Sequence, residues 1–308
     1  MKRIAAGLAP ALLAGLPVAA QQPVAPAAEA TPSPQAEMPA DLLAIGEADL
    51  RMTVGVDVGG RGLWPFVIDT GAERSVLSRE LAERLALPAG RPVRVTTMTG
   101  VVTTPTARVP GLKVSTMAAP TVEAPLFARV NLGAIGMLGL DALQGHAVVI
   151  DFDANTMSVR PSRRRKLVAG PDEIVVVAKR RSGQLVVTDA RWRGRRVSVV
   201  IDTGSPVTIA NPALIAAARR APPSVGKMTI VAPDGSLLLA DARNLDAVEF
   251  GGVSLQNVAV AVADAAPFPR FDLADTPALL LGMETLRLFR RVEIDFPARS
   301  IRLKLPRR

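Results

Sequence analysis

The triplet Asp-Thr-Gly occurs twice in this chain, each time at the end of an apolar run. Asp69-Thr70-Gly71 follows Phe66-Val67-Ile68, and Asp202-Thr203-Gly204 follows Val199-Val200-Ile201. A carboxylate at the end of an apolar strand is costly to bury unless its charge is compensated or used. Two such aspartates in matched surroundings indicate a paired-carboxylate site, in which one carboxyl keeps its proton and the other does not.

A pair of this kind can hydrolyse a peptide bond. The carboxylate takes a proton from water as the water attacks, and the neutral acid donates a proton to the carbonyl oxygen. Contact between the two groups separates their protonation states, because two like charges cannot both ionise cheaply, and the titration then belongs to the pair. We therefore predict that Asp69 and Asp202 form one catalytic dyad, provided that the two halves of the chain meet about a two-fold axis.

The residues that follow each aspartate suit a tight active-site loop. Glycine permits close backbone approach directly after the carboxyl group, and the threonine hydroxyls could bond across the base of the pair. A single copy would be a weak signal, because Asp and Gly are common turn residues. We expect the two loops to consist of Thr70, Gly71, Ala72, Thr203, Gly204 and Ser205.

The amino-acid composition excludes several other kinds of catalytic and binding site. The 308 residues suffice for two domains with their own cores, and the absence of cysteine excludes disulfides and a thiol nucleophile. The only histidine is His146, which excludes a multi-histidine metal site, so we expect no metal and no cofactor. The formal charge is +9, but aromatic residues are scarce and tyrosine is absent. Because nucleic-acid binding needs clustered charge with base-reading elements, we expect no nucleic-acid partner.

The second half of the chain repeats the plan of the first. Nine residues after each aspartate stands a good helix N-cap, Ser78 or Asn211, which predicts one short helix in each half. A strand-turn-strand pattern follows in both halves. In the second half the turn is Pro233-Asp234-Gly235, which is a strong hairpin signal. At the tips of these two hairpins we expect substrate-contacting residues, namely Met98, Thr99, Gly100, Asp234 and Gly235.

Each half closes with two apolar residues and a glycine, Met137-Leu138-Gly139 and Leu280-Leu281-Gly282, and then with a strand pair. The pattern predicts an all-β protein, mainly β with one short helix per lobe, built by duplication of a unit of about 120 residues. We assign lobe 1 to residues 45–162 and lobe 2 to residues 170–306. A basic linker at 163–169 would join them.

The first residues have the pattern of an export signal. Lys2-Arg3 precedes a mildly apolar stretch that ends at Val18-Ala19-Ala20, which predicts a signal peptide over 1–20. An uncleaved membrane anchor is the alternative, but the stretch is short and weakly apolar for a span. Residues 21–44 are rich in Pro and Ala and predict a linker or pro-segment. We expect a periplasmic or secreted bacterial protein with no stable membrane insertion after signal cleavage.

At these motifs the chain resembles the retropepsin-type aspartic proteases, in particular bacterial exported members with two tandem domains. The resemblance covers residues 45–306 and rests on both Ile-Asp-Thr-Gly segments and both closing glycines. It implies two closed β-barrel-like lobes and an active site between them under hairpin flaps, with Asp69 and Asp202 as the catalytic pair. The chain departs from the pepsin-type pattern in lacking a flap tyrosine. It departs from the viral pattern at Leu140-Asp141 and Met283-Glu284.

The resulting prediction is an exported aspartic endopeptidase whose lobes form an intrachain pseudo-dimer. Its partner would be a peptide or protein substrate, bound extended under the flaps by strand addition, and the monomer would be active. A domain-swapped dimer would pair Asp69 of one chain with Asp202 of another. The alternative functions are a catalytically inactive peptide-binding module of the same fold and a structural envelope protein that uses its basic surface.

Overall fold

The structure is a computed structural model that describes residues 42–44, 46–48, 51–114, 117–119, 121–162, 169–170, 172–181 and 183–306. The predicted signal peptide, the predicted linker as far as residue 41, and residues 163–168 of the predicted basic linker lie outside the described residues.

Lobe 1 and the short strand before it contain fourteen strands and three helices among the described residues. In chain order they are β1 (Leu42–Ala44), β2 (Gly46–Ala48), β3 (Arg51–Val58), β4 (Leu63–Ile68), β5 (Val76–Ser78), α1 (Arg79–Arg84), β6 (Val93–Thr96), β7 (Val101–Thr104), β8 (Thr106–Val109), β9 (Leu112–Val114), β10 (Met117–Ala119), β11 (Val122–Phe127), α2 (Arg129–Leu132), β12 (Gly136–Leu138), α3 (Leu140–Leu143), β13 (His146–Asp151) and β14 (Thr156–Pro161).

Lobe 2 repeats this order with eleven strands and three helices in its described part. They are β15 (Glu173–Val177), β16 (Lys179–Arg181), β17 (Gln184–Trp192), β18 (Arg195–Ile201), β19 (Ile209–Ala210), α4 (Pro212–Ala216), β20 (Ser224–Val231), β21 (Leu237–Phe250), β22 (Val253–Val262), α5 (Pro267–Arg270), β23 (Ala278–Leu281), α6 (Met283–Leu286), β24 (Arg291–Asp295) and β25 (Ser300–Lys304). The prediction of an all-β, two-lobed architecture is confirmed.

The helices are short, and two of them begin at the predicted caps. The Ser78 side chain accepts the Leu81 N–H at 3.1 Å at the start of α1, and the Asn211 side chain accepts the Leu214 N–H at 3.0 Å at the start of α4. The prediction of one helix per lobe was wrong, because the described part of each lobe has three. The additional helices have four residues each, which is too short for an apolar periodicity to be recognised. No described helix has the length and apolar character needed to cross a membrane.

Six strands of lobe 2 close into a ring. Pairing runs from β17 through β18, β23, β19 and β22 to β21, and β21 pairs back with β17. Lobe 1 has the same circuit, but the strand equivalent to β21 is divided into β8 and β9 at Pro110 and Gly111. β8 pairs with β11 and β9 pairs with β3, so the chain itself completes the ring. Proline has no N–H to donate to a ladder, which explains the break.

A six-stranded antiparallel sheet joins the lobes, in the order β1-β14-β13-β24-β25-β15. At its centre β13 of lobe 1 pairs with β24 of lobe 2 over five residue pairs. Its buried face contributes Val148, Ile150, Val292 and Ile294 to the main core. β1 covers residues 42–44, which we predicted to lie in the linker. These residues pair with β14 instead, because main-chain bonding to the sheet edge satisfies their backbone groups.

Candidate active site

Each candidate aspartate follows a strand that pairs with another strand of its own lobe, and this partner contains the apolar residues of the closing motif. β4 runs parallel to β12, and β18 runs parallel to β23. The Asp69 N–H donates to the Leu138 carbonyl at 2.9 Å, and the Asp202 N–H donates to the Leu281 carbonyl at 3.0 Å. The closing motifs of the sequence therefore fix the backbone of the two aspartates in equivalent ways.

The two threonines bond across the junction of the lobes. The Thr70 hydroxyl donates to the Ile201 carbonyl at 2.8 Å, and the Thr203 hydroxyl donates to the Ile68 carbonyl at 2.7 Å. Each hydroxyl oxygen also accepts the backbone N–H of the opposite threonine at 3.1 Å. All of these groups are buried, so the four reciprocal bonds hold the two loops in one register.

The backbone of each loop stabilises negative charge on its own carboxyl group. The N–H groups of Gly71 and Ala72 donate to Asp69 Oδ1 at 2.8 and 2.9 Å. The Gly204 N–H donates to Asp202 Oδ1 at 3.0 Å. Two N–H donors on one carboxylate oxygen favour its ionised form.

The two carboxyl groups differ in their surroundings. Asp202 is 4% exposed, whereas Asp69 is half-buried. Burial, followed by the charge of Asp69, raises the pKa of Asp202 from 3.8 to about 8, although the Gly204 and Ser205 N–H groups oppose this shift. A hydrogen bond between the two carboxyl groups also favours the protonated form of Asp202. At neutral pH the arrangement provides Asp202 as an acid. Beside it lies Asp69, whose Oδ1 accepts two backbone N–H groups and whose carboxyl group can accept a proton.

The glycines of the triplets are required by the closeness of the two loops. A Cβ atom on Gly71 would lie 2.7 Å from Asp202 Oδ1, and one on Gly204 would overlap the Asp69 carboxyl group. Each glycine thus makes space for the opposite aspartate, which is why the third position of the triplet admits no side chain.

A second layer of polar side chains supports the loops from below. In lobe 1 the Ser75 hydroxyl donates to Asp141 at 2.7 Å and accepts the Gly139 N–H at 3.1 Å. In lobe 2 Thr208 accepts the Gly282 N–H at 3.1 Å, but its hydroxyl partner is Thr285 rather than the exposed Glu284 that stands at the position of Asp141. The two lobes therefore reach the same support through different residues.

A cleft between the lobes contains both aspartates. The apolar residues of its lobe 1 wall are Val76, Val95, Pro125, Phe127, Leu132 and Met137. Its lobe 2 wall includes Pro206, Ile230, Val231, Pro267, Phe271 and Leu280. Apolar walls on both sides of a polar centre suit an extended chain with apolar side chains.

Both predicted hairpins form and lie over this cleft. Flap 1 is the β6–β7 hairpin and flap 2 is the outer part of the β20–β21 hairpin. Met98 of flap 1 lines the cleft, and its carbonyl accepts the Ala266 N–H of lobe 2 at 3.0 Å. The other four predicted flap residues do not line the cleft, and they are Thr99, Gly100, Asp234 and Gly235.

Three of those four residues hold the flap tips in place. Thr99 hydrogen-bonds with Ser236, which joins the two flaps. Asp234 accepts the Ser236 hydroxyl at 2.7 Å within its own turn. Gly235 packs against Asn131 of lobe 1, so that a Cβ atom on it would lie 2.6 Å from Asn131 Nδ2.

Charged residues are placed around the cleft. Glu73 of lobe 1 and Arg270 of lobe 2 form an ion pair at 2.7 Å, and each side chain is almost half exposed. Arg74 and Arg94 line the same cleft. An ion pair as exposed as this contributes at most about 1 kcal/mol, so it adds little to the stability of the closed arrangement.

Sequence reasoning missed one buried residue beside the dyad. The side chain of Gln184, at the start of β17, donates from Nε2 to the Gly71 carbonyl of lobe 1 at 2.8 Å. Gln184 is 1% exposed. Nothing in the sequence distinguishes it, because a glutamine at the start of a strand is usually solvated.

Comparison with known proteins agrees with this geometry. A family model described as aspartyl protease matches the chain twice, over residues 54–142 and 188–285. The first match contains Asp69 and the flap 1 hairpin, and the second contains Asp202 and the flap 2 hairpin. A search of curated proteins gives no match. The catalytic roles of the two aspartates stay a prediction.

Proposed function

Because the chain belongs to the aspartyl protease family, we propose that it is an exported aspartic endopeptidase with Asp69 and Asp202 as its dyad. The observation that carries the proposal is the pair of unequal carboxyl groups, held by reciprocal threonine bonds at the base of one cleft. Such an arrangement supplies a base and an acid in contact, which is what amide hydrolysis by water requires.

In the proposed mechanism, a water molecule between the carboxyl groups attacks the scissile carbonyl carbon and gives a proton to Asp69. Asp202 donates its proton to the carbonyl oxygen, which yields a neutral tetrahedral diol. Asp69 then protonates the leaving nitrogen as the C–N bond breaks, and Asp202 recovers a proton from one hydroxyl. Both residues return to their starting states, so no other group is consumed.

The substrate would be an unfolded or extended peptide segment. Flap 1 and flap 2 offer strand edges above the dyad, and main-chain bonding to a strand edge is insensitive to substrate sequence. The apolar walls on both sides would select apolar side chains next to the scissile bond. This supports an endopeptidase that gains affinity from bonds to the substrate main chain. Its preference for particular side chains would come from the apolar walls of the cleft.

We further propose that the mature protein acts outside the cytoplasm as a monomer. The basic start of the chain and its small-residue cleavage motif support export, and one chain supplies both halves of the site. Fractionation of bacteria that produce the full chain, with sequencing of the mature N-terminus, tests export. Protein that is retained in the cytoplasm with residues 1–20 intact would contradict it.

The activity itself is tested by incubating the purified protein with a complex peptide mixture from acidic pH to about pH 9 and identifying the products by mass spectrometry. We expect cuts by the wild type that disappear in Asp69→Asn and in Asp202→Asn. Asp189→Asn is a matched control, because Asp189 is exposed on β17 and does not line the cleft. Cuts that persist in both dyad variants would show that another site is responsible.

A further inference from the structure

Gln184 connects lobe 2 to the loop that carries Asp69. Its side-chain amide bridges 113 positions of sequence to reach the Gly71 carbonyl at 2.8 Å, and it is almost completely buried. A buried amide donor is costly unless it is hydrogen-bonded, and the bond to the Gly71 carbonyl satisfies this requirement. The bond is additional to the threonine bonds, and it acts on the loop of one aspartate.

The Gly71 carbonyl belongs to the same peptide group as the Ala72 N–H. That N–H donates to Asp69 Oδ1 at 2.9 Å. The hydrogen bonds therefore form a chain from the Gln184 amide, through the 71–72 peptide group, to the Asp69 carboxyl group. Bonds in such a chain polarise one another, so a donor on the carbonyl strengthens the N–H on the other side.

The Asp202 loop differs at this point. The Gly204 N–H donates to Asp202 Oδ1 at 3.0 Å and the Ser205 N–H lowers the pKa of Asp202, but among the side chains that the structure describes, none donates to the Gly204 carbonyl. Only the Asp69 loop thus receives this support from the opposite lobe, within the described part of the chain. A donor on the Gly71 carbonyl favours ionisation of Asp69 through the 71–72 peptide group.

We propose that Gln184 is a positioning residue that acts through the 71–72 peptide group to keep Asp69 ionised and correctly oriented as the base of the dyad. This inference rests on the proposed function for its catalytic meaning. The effect of Gln184 on the Asp69 carboxyl group, however, does not require that the protein cleaves a substrate.

The other charged groups near Asp69 must stay constant in any test. Asp202 faces it from the opposite loop, and Glu73, Arg74, Arg94 and Arg270 line the same cleft. Substitution of Gln184 leaves all of them in place and changes no formal charge when the new residue is methionine. A changed titration can then be assigned to the lost hydrogen bond.

The first measurement compares Gln184→Met with the wild type and with the control Gln256→Met. Gln256 is exposed and does not line the cleft. Because Asp69 would hold its proton more tightly, we expect the acidic limb of kcat/KM to move up by roughly half a pH unit. We expect kcat to fall about 5-fold or more with a smaller change in KM, since one hydrogen bond near the reacting group is lost. Gln256→Met should match the wild type.

The variant Gln184→Glu provides a rescue within one protein. A protonated glutamic acid can donate to the Gly71 carbonyl, whereas an ionised one cannot. Its activity relative to Gln184→Met should therefore rise as the pH falls. If Gln184→Met does not fold, the wild type becomes the reference, and the activity of Gln184→Glu relative to the wild type should still rise as the pH falls.

A second readout needs no catalysis. Proteins labelled with ¹³C at the aspartate carboxyl carbon report the titration of Asp69 by NMR, with the resonance assigned from Asp69→Asn. An Asp69 titration that is the same in the wild type and Gln184→Met would overturn the inference, even if the protein is an active protease. A shifted titration in a protein that cleaves nothing would support it and would count against the proposed function instead.

Discussion

At the scale of single residues, the site depends on the difference between two aspartates that occupy equivalent positions. Asp202 is buried and Asp69 is half-buried, although their loops have the same sequence Asp-Thr-Gly. Burial and the neighbouring charge both favour a proton on Asp202. The asymmetry therefore comes from the packing around the loops and not from the loops themselves.

The first prediction concerns pH. The pKa of Asp202 is raised to about 8, so its acid form, which the mechanism needs, is present below that pH and is lost above it. We expect kcat/KM to fall about tenfold per unit at pH values well above 8. A pH profile with a reporter peptide measures this, and Asp189→Asn should give the same alkaline limb as the wild type. A profile that stays flat to about pH 10 would contradict the assigned role of Asp202.

At the scale of structural elements, the loops matter through what they bond across the lobe junction. Thr203 donates to the Ile68 carbonyl and accepts the Thr70 N–H, and Thr70 does the reverse. These bonds connect the ends of β4 and β18, so they determine the separation of the two carboxyl groups. Stability and activity should respond together when they are broken.

The second prediction is that Thr203→Val lowers the free energy of unfolding by roughly 2–6 kcal/mol. Valine has nearly the same shape, but it leaves the buried Ile68 carbonyl and Thr70 N–H without their partner, and each such group costs about 1–3 kcal/mol. Denaturant unfolding measures the change. Thr121→Val is the control, because Thr121 is exposed and should alter stability little. An unfolding midpoint equal to that of the wild type would show that the bonds are not important.

The third prediction concerns the tip of flap 2. Gly235 has φ +86° and lies against Asn131, whereas Gly194 has φ +75° with open space around it. Alanine at either position should cost about 1–2 kcal/mol of backbone strain. Only Gly235→Ala should also displace the flap from lobe 1, so we expect its KM for peptides to rise roughly 3-fold or more, because substrate ordering becomes more costly. Equal KM values for the two variants would contradict a role for the flap contact.

Local signals predicted the elements well. Ser78 and Asn211 cap the helices that their spacing indicated, and Pro233-Asp234-Gly235 forms the hairpin turn that it predicted. These features depend on a few adjacent residues. The contacts of the flap tips with Ala266 and Asn131 could not be predicted, because they join segments that are far apart in the sequence.

At the scale of the whole molecule, one chain supplies both halves of the site. β13 and β24 pair at the centre of the shared sheet, and Arg160 bonds to the buried Glu293 across the lobes at 2.8 Å. The duplication in the sequence predicted the two lobes but not the outer strands β1 and β15 of this sheet. Those strands have no motif of their own, and only the folded neighbours give them a partner.

The polar residues around the dyad also depend on contacts between distant parts of the chain. Asp69 and Asp202 could be selected because their triplets repeat, whereas Gln184 occurs once and has no local signature. Thr208 likewise hydrogen-bonds to Thr285 rather than to Glu284 because of the orientation of α6. Repetition identifies what the two lobes share, and the structure is needed for what distinguishes them.

The most direct test of the central claim is a mixing experiment with Asp69→Asn and Asp202→Asn, which measures peptide cleavage by each variant and by their equimolar mixture. We predict that each variant loses roughly 10³-fold or more in kcat/KM, because the dyad acts as a unit. We also predict that the mixture stays inactive after unfolding and refolding together, since both aspartates must come from one chain. Full activity in either variant would contradict the dyad, and recovery of activity in the mixture would contradict the intrachain pairing of the lobes.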